Sequence, residues 1–401
     1  MSLGRRAFAA ACASLLALLL AGCWDRRELN ELGISMAMGI DRAGDQYEVT
    51  VQVVQPGEVT QKDGQSGRAP VTVYKASGTT LFEALRRMTT DSPRKIYSSH
   101  LRFVIFGEEA ARQGIGDALD LLSRDNELRT DFYLLVAKGT TAENVLGILT
   151  PMEKIPANKV YRSIDMSERN GGFTAAVSLD EFISVYVSDG KEPAVGGVEA
   201  AGSAEAGRFR ENVKTIRPAA RLLSAGLAAF REDKLVGWLN EAESKGYNIV
   251  VGNVKNAVDH VACPDGGNVA LEWVDSTSKL GGSVRNGAAL LRVDVRVEEN
   301  IGEVQCALDL SRPSFIRDLE RKAEKRVEEL ALQAVETMQK TYGSDIFGFG
   351  EAIRRSDPRA WRSLKKDWEE SFKNARVDVK ATVKIRRSGT IVDSMQRKKG
   401  D

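Results

Sequence analysis

Four cysteines and two histidines hold most of the chemical reactivity that the 401 residues offer. Cys23 directly follows Leu20-Ala21-Gly22. Ahead of it an uncharged run extends from Ala7 to Ala21, opened by Arg5 and Arg6. A charged start, an apolar middle and small residues at a cut site make a signal peptide, and a cysteine just behind the cut makes the bacterial lipoprotein form of it. The expected chemistry is a thioether between the Cys23 sulfur and a diacylglyceryl group. Cleavage would then leave Cys23 as the first residue. Two acyl chains hold far better than one, at ~0.8 kcal/mol per buried CH₂. The apolar run of 15 residues is shorter than the ~20 that cross a bilayer as a helix. An ordinary secretory signal with an incidental cysteine is the competing reading, and the completeness of the signal argues against it.

The remaining candidates are weaker. Cys12 leaves with the signal. Cys263 and Cys306 then stand in a compartment where disulfides persist. They can bridge or remain buried thiols; spacing alone does not decide. His260-Val-Ala-Cys263 with Asp265 and Cys306 lacks the paired C-x-x-C or H-x-x-x-H spacing of a zinc site, so no metal is expected. Ser98 and Ser99 adjoin His100, but sequence neighbours on a strand point to opposite faces, which argues against a nucleophile–base pair. Gly348-Phe349-Gly350 is a lone G-x-G outside any phosphate-binding frame. The carboxylates are scattered among basic residues, as on a solvated surface. No catalytic set, no cofactor site and no identifiable ligand-binding residue emerges, so the chain reads as a non-enzyme. The formal net charge of +1 falls to −1 without Arg5 and Arg6, which excludes a basic field for nucleic acid. Arg397-Lys398-Lys399 would serve solubility, or touch anionic lipid.

Removing 22 residues leaves 379, with 42% apolar and 28% charged residues in the whole chain. That is a folded protein of two or three domains. No second stretch is long and apolar enough to span a bilayer, so the body is expected in water beside the membrane. The elements mix strands and helices. Gly33 to Asp41 and Tyr47 to Gln55 read as a hairpin, with Val49, Val51 and Val53 on one face and Glu48, Thr50 and Gln52 on the other. Strands at Val71–Ala76, Leu101–Phe106 and Thr130–Ala137 alternate with helices through Met88, capped by Thr79 or Thr80, and at Glu108–Ser123 and Thr141–Leu149. Residues 150–177 show weak periodicity, and Leu179–Val187 reads as helix. Val198 to Asn212, rich in Ala, Gly and Ser, reads as a loop at a domain boundary.

The second half reads as a strand or strand pair over Ala219–Phe230, a helix over Lys234–Lys245, and strands at Tyr247–Val251, Asn268–Trp273 and Ala288–Val297. A turn near Glu298-Glu299-Asn300 would return Ile301–Leu310. Ile316, Leu319, Ala323, Val327, Leu330, Ala334 and Met338 form a helical stripe, with Ser314 as cap. Ser344 is a candidate cap for a following helix. Asp357-Pro358 starts a helix that places Trp361, Leu364, Trp368 and Phe372 on one face. Val377–Ile385 closes as a strand. The expected organisation is a mixed α/β (α+β), multi-domain fold: signal 1–22, N-terminal α/β region 23–197, linker 198–213, C-terminal α+β domain 214–388 and charged tail 389–401.

The residues after Cys23 carry a resemblance. Cys23-Trp24-Asp25-Arg26-Arg27-Glu28-Leu29, Leu32-Gly33-Ile34 and Gly39-Ile40-Asp41 resemble the start of the C-subunit, Ger(x)C-type lipoproteins of spore germinant receptors. The likeness continues in order through Gln52–Pro56, His100-Leu101, Gly107-Glu108, Gly226-Leu227-Ala228, Leu235-Val236-Gly237-Trp238-Leu239, Cys263-Pro264, Asp345-Ile346-Phe347-Gly348-Phe349-Gly350 and the Trp361/Trp368 helix. It implies a three-domain mixed α/β protein with mixed or antiparallel sheets flanked by helices. It implies a place on the outer face of the spore inner membrane, integral-membrane partner subunits, and a role in the nutrient response that starts germination. No catalytic motif comes with it; only Cys23 carries over with a definite chemical role. The alternative is a free-standing extracytoplasmic lipoprotein, a solute binder or surface hydrolase. A binder should show two similar lobes, and the halves do not look alike. A hydrolase would need the nucleophile–base pair that is missing.

Overall fold

The computed structural model describes residues 31–60, 68–263, 266–306 and 309–387, with Gly4, Arg5 and Phe8. Cys23 and the tail lie outside the described residues. Among those described, thirteen strands form two sheets. In the first sheet, β1 (Leu32–Ala43), β5 (Phe103–Gly107), β6 (Tyr133–Ala137) and β7 (Ala194–Gly202) run parallel. Antiparallel strands extend both edges: β2 (Gln46–Val54) and β3 (Val71–Gly78) beside β1, and β8 (Ala220–Arg231) and β9 (Lys234–Leu239) beside β7. A short β4 (Lys95–Tyr97) pairs parallel with the first residues of β1.

Helices cover this sheet on both faces, as parallel strands require. One face carries α1 (Leu81–Arg87), the pair α2 (Glu108–Gln113) and α3 (Gly116–Arg124), and α6 (Leu179–Tyr186); Leu81, Leu119, Leu122 and Phe182 pack on Ile40, Val51, Val104 and Val136. The other carries α4 (Ala142–Gly147) and α5 (Pro156–Gly171), whose Val145, Leu146, Val160 and Ile164 pack on Phe103, Ile105 and Leu135.

Several expectations are corrected here. Glu108–Ser123 is two helices because Gly114, at φ +124°, turns the chain, and the Asp233 carboxylate accepts the Gly116 N–H at 2.9 Å. The stretch of weak periodicity contains the 16-residue α5, whose apolar stripe is only Ala157, Val160 and Ile164. Val198 to Asn212 is not a linker loop: it starts inside β7 and continues in two short helical turns, Ala204–Gly207 and Glu211–Lys214. Its small residues serve close packing, since a Cβ on the adjoining Gly197 would meet the Trp238 ring at 2.5 Å. The first sheet therefore runs on past 214 to Leu239.

The second sheet has the order β10 (Val258–Ala262), β11 (Asn268–Arg285), β12 (Ala288–Val304) and β13 (Arg376–Arg387). Lys234–Lys245 is β9 followed by α7 (Glu241–Val251), not one helix. Tyr247–Val251 lies inside α7, started by a capping box of Asn240 and Glu243 and stopped by Gly252 at φ +80°. The reversal expected at residues 298–300 is also absent. β12 is continuous, and the hairpin turns at Asn286-Gly287, both at positive φ, the dipeptide a two-residue hairpin favours. α8 (Pro313–Thr337) lays Leu319, Ala323, Val327, Leu330 and Ala334 across one face of the sheet. Asp318 and Lys322 pair on it at 3.3 Å. The N–H groups of Ala381, Val383 and Ile385 on β13 are taken up by Glu328, Glu324 and Glu320 of α8. Carboxylates four residues apart thus close a sheet edge that would otherwise invite pairing. After α8 come α9 (Phe349–Ser356), α10 (Pro358–Leu364) and α11 (Trp368–Lys373). Asp357 caps α10 through the Arg359 and Ala360 N–H groups, whereas Ser344 caps nothing and instead donates to the Phe230 carbonyl at 2.6 Å.

Candidate functional site

The residue types that first suggest chemistry do not assemble. His100 precedes β5, its ring edge-on to Tyr97 at 6.0 Å, while His260 sits on β10 of the other sheet. The sulfurs of Cys263 and Cys306 are bonded to each other, with Cα atoms 6.4 Å apart, tying the end of β10 to the segment after β12. No thiol of that pair is left for zinc. Among the described residues no His, Cys, Asp and Glu cluster could hold a metal ion.

What the fold does assemble is a junction between the two sheets, centred on Asp345. Its carboxylate is buried and accepts the backbone N–H groups of Gly348, Phe349 and Gly350 at 2.9, 3.2 and 2.9 Å, and Trp368 Nε1 at 3.2 Å. Gly348, at φ +91°, permits the turn that aims these amides inward. The G-x-G is thus a nest for an internal carboxylate rather than for a phosphate. Burial pushes the Asp345 carboxyl up to about 6, against the pull of its four donors. Glu192 N–H donates to the Asp345 carbonyl at 2.8 Å and Glu351 N–H to the Gly190 carbonyl at 3.0 Å. A Cβ on Gly190 would fall 2.7 Å from the Gly350 carbonyl carbon, so backbones touch there. Tyr342 completes the junction: its hydroxyl donates to the Trp238 carbonyl at 3.0 Å and its ring fills the space beside Gly237. Lys365 pairs with Asp189 at 2.6 Å and Arg231 with Glu369 at 3.0 Å at the rim. Trp361 is buried and packs edge-on against Trp368 at 5.4 Å.

A second buried polar group lies between α7, α8 and the second sheet. Lys245 Nζ meets Asp259 Oδ2 at 3.1 Å and the Val258 carbonyl at 3.0 Å, and Arg326 Nε approaches Asp259 Oδ1 at 3.5 Å. Glu299 is buried beside them. Its carboxyl is pushed up to about 7 by burial and then by the Asp259 charge, with Lys245 pulling it back. Sequence reasoning missed Tyr342, Gly190 and Glu299. The Asp345-x-x-Gly-x-Gly spacing was visible, but its meaning depended on a partner 155 residues away.

The comparisons with known proteins bear on this whole architecture. Residues 25–200 match the family model described as "Spore germination protein N-terminal domain", and residues 225–389 match "Spore germination B3/ GerAC like, C-terminal". The chain is 33% identical to "Spore germination protein KC" of Bacillus subtilis (strain 168) over 395 residues, covering 96% of each. The chain belongs to the GerAC-like spore germination family. Another member, "Spore germination protein B3" of the same organism, is 27% identical over 93% of this chain and 96% of its own. The solved structure titled "Crystal Structure of the GerBC protein" shares the fold, with a TM-score of 0.55 over 87% of this chain and 96% of that one, at 22% identity. The two family matches part between 200 and 225, close to the expected linker, yet the strands on either side, β7 and β8, are paired in one sheet.

Proposed function

We propose that this protein is a lipid-anchored subunit of a spore germinant receptor, and that it acts without catalysis in the response to nutrients that triggers germination. The observation that carries the proposal is the end-to-end match to spore germination proteins, 96% of both chains, in a sequence where Cys23 follows Leu20-Ala21-Gly22. Acylated Cys23 is the anchor, and the place is the outer face of the spore inner membrane. Tethering makes docking on integral-membrane subunits effectively intramolecular, raising the local concentration toward ~mM for short linkers. Among the described residues no helix is long and apolar enough to cross a membrane. The internal use of Asp345 and of the Cys263–Cys306 pair favours a scaffold over an enzyme. The dissimilar sheets, nine strands against four, speak against a two-lobed solute binder.

Purification of the tagged protein from spore membranes under mild detergent tests the partnership. The integral-membrane receptor subunits should co-purify, with crosslinks to mapped residues of this chain. Recovery of the protein alone after crosslinking would contradict it.

A further inference from the structure

A loop on the side of the first sheet where β3 begins carries an apolar, basic tip that nothing in the fold or in the proposed role accounts for. Met152 and Ile216 are 104% and 100% exposed, the highest values for large apolar side chains among the described residues. Phe209 and Val213 are also exposed, at 59% and 39%. Phe209, Val213 and Ile216 follow one another at spacings of four and three, in the stretch Arg208-Phe-Arg-Glu-Asn-Val-Lys-Thr-Ile-Arg217, which holds four basic residues and one acidic one. The segment is built to hold this pose. Buried Asn212 donates to the carbonyls of Leu149 and Ala220 at 2.8 and 3.0 Å and accepts the Ala220 N–H at 2.9 Å. Leu149 N–H donates to the Gly207 carbonyl at 2.9 Å, fastening it to the loop of Met152. Met152 itself holds φ +67°, a backbone conformation that costs energy for a residue with a side chain. A strained, fully exposed methionine beside a pinned apolar loop is a surface made for contact.

The position of the loop says with what. Eight residues separate Cys23 from Leu32, the first residue of β1, and nine virtual bonds reach about 30 Å when extended. Gly33 lies against Val53, Val54 pairs with Val71, and the adjoining Pro70 lines a groove of about 360 Å³ together with Met152, Arg210 and Val213. Val71 is thus about two strand spacings, ~10 Å, from the point where the chain enters β1, and the groove beyond it leads to Met152 and Val213. We propose that Met152, Phe209, Val213 and Ile216 enter the headgroup layer of the same bilayer that holds the acyl chains, with Arg210, Lys214 and Arg217 on anionic phosphates. Isolated apolar tips interleaved with cations suit a lipid interface, where tips pass below the phosphates that the cations hold. The tether and the tip would together give the body a fixed orientation on the membrane. This rests on the lipid anchor proposed above.

The test uses the full chain isolated with its anchor, carrying Ile216→Cys and a fluorescent label, reconstituted in vesicles with brominated lipid. A Thr382→Cys label on the open face of the second sheet is the control, and the unsubstituted chain checks that other cysteines do not take label. Quenching at 216 in phosphatidylglycerol-containing vesicles, its loss with Arg210→Glu plus Lys214→Glu, and none at 382 is the expected result. An unquenched label at 216 overturns the inference. So does a label that responds only when the integral-membrane receptor subunits are added. The mass of the N-terminal peptide reads acylation separately. An unacylated chain would refute the anchor, while quenching at 216 on addition to preformed vesicles would still decide the tip.

Discussion

The two sheets differ in what becomes of the polar residues on the face opposite their buried valines. In the second, β12 and β13 alternate strictly: Leu291, Val293, Val295 and Val297 are buried under α7 and α8, while Arg292, Arg296, Lys380 and Thr382 face water. In the first, β2 alternates just as clearly in sequence, yet Thr50 and Gln52 are as buried as Val49 and Val51. The difference is the second helical layer. Gln52 donates to the Leu146 carbonyl at 2.8 Å and accepts the Ala157 N–H at 3.1 Å, meeting α4 at one end and α5 at the other. Asp41 accepts the N–H groups of Ala142 and Glu143 at 2.8 and 3.0 Å at the start of α4. Burial raises the Asp41 carboxyl above its usual range against those bonds. Polar residues on that face of the first sheet are fasteners for helices, whereas on the open face of the second sheet they are solvent contacts, and its buried Asp259 and Glu299 lie on the face that α7 and α8 cover.

Substitutions at the junction, the bridge and each sheet separate these two designs. The largest effect is expected at the junction that joins the sheets. Asp345→Ala leaves four donors without an acceptor, at about 1–3 kcal/mol for each one that stays buried. A loss of several kcal/mol should appear in urea unfolding, with the single transition splitting in two as the sheets uncouple. An unchanged midpoint would show the junction to be dispensable. Cys263→Ser comes next. Opening a bridge between residues 43 apart should cost about 2–4 kcal/mol. Thiol titration under non-reducing denaturant should find no free thiol for this pair in the native chain, and two free thiols there would refute the bridge.

Glu299→Gln should act in the opposite direction. A carboxyl pushed up to about 7 when folded holds its proton longer in the native than in the unfolded state, so its contribution to stability falls as pH rises from about 4.5 to 7. The glutamine variant should be more stable by up to about 3 kcal/mol at pH 8, and the gain should vanish near pH 4.5. Denaturation at both pH values checks this, and a variant that is less stable at pH 8 would contradict it. The smallest contrast separates the sheets themselves. Gln52→Ala should cost about 1–3 kcal/mol by orphaning buried partners, while Thr382→Ala on the open face should stay within about 0.5 kcal/mol. Equal costs would abolish the distinction.

The same contrast explains which parts of the fold the sequence disclosed. The α8 stripe was legible because one face of one helix meets one core. Strands β1 to β3 and β5 were legible because turn chemistry and apolar runs bound them. The end of β7, from Val198, reads as a loop because its small residues and the adjoining Gly197 answer to Trp238 and to neighbouring backbone, contacts that only the folded state creates. β9 and α7 read as one element because only the Asn240–Glu243 capping box marks the helix start between them. The proposed anchor at Cys23 is read from local chemistry alone and lies outside the described residues, whereas the Asp345 junction needed Gly190 and Trp368 to be brought beside it. The exposed Phe209, Val213 and Ile216 were hidden in a stretch whose composition suggested a linker.

The anchor at Cys23 carries the proposed role. Cys23→Ala, expressed in sporulating cells and followed by fractionation of spores with mass analysis of the N-terminal peptide, tests it most directly. The parent protein should sit in the inner-membrane fraction and begin with a diacylglyceryl-modified Cys23, and the variant should leave that fraction. A parent chain with an unmodified Cys23, or a variant that stays in the membrane as fully as the parent, would contradict it.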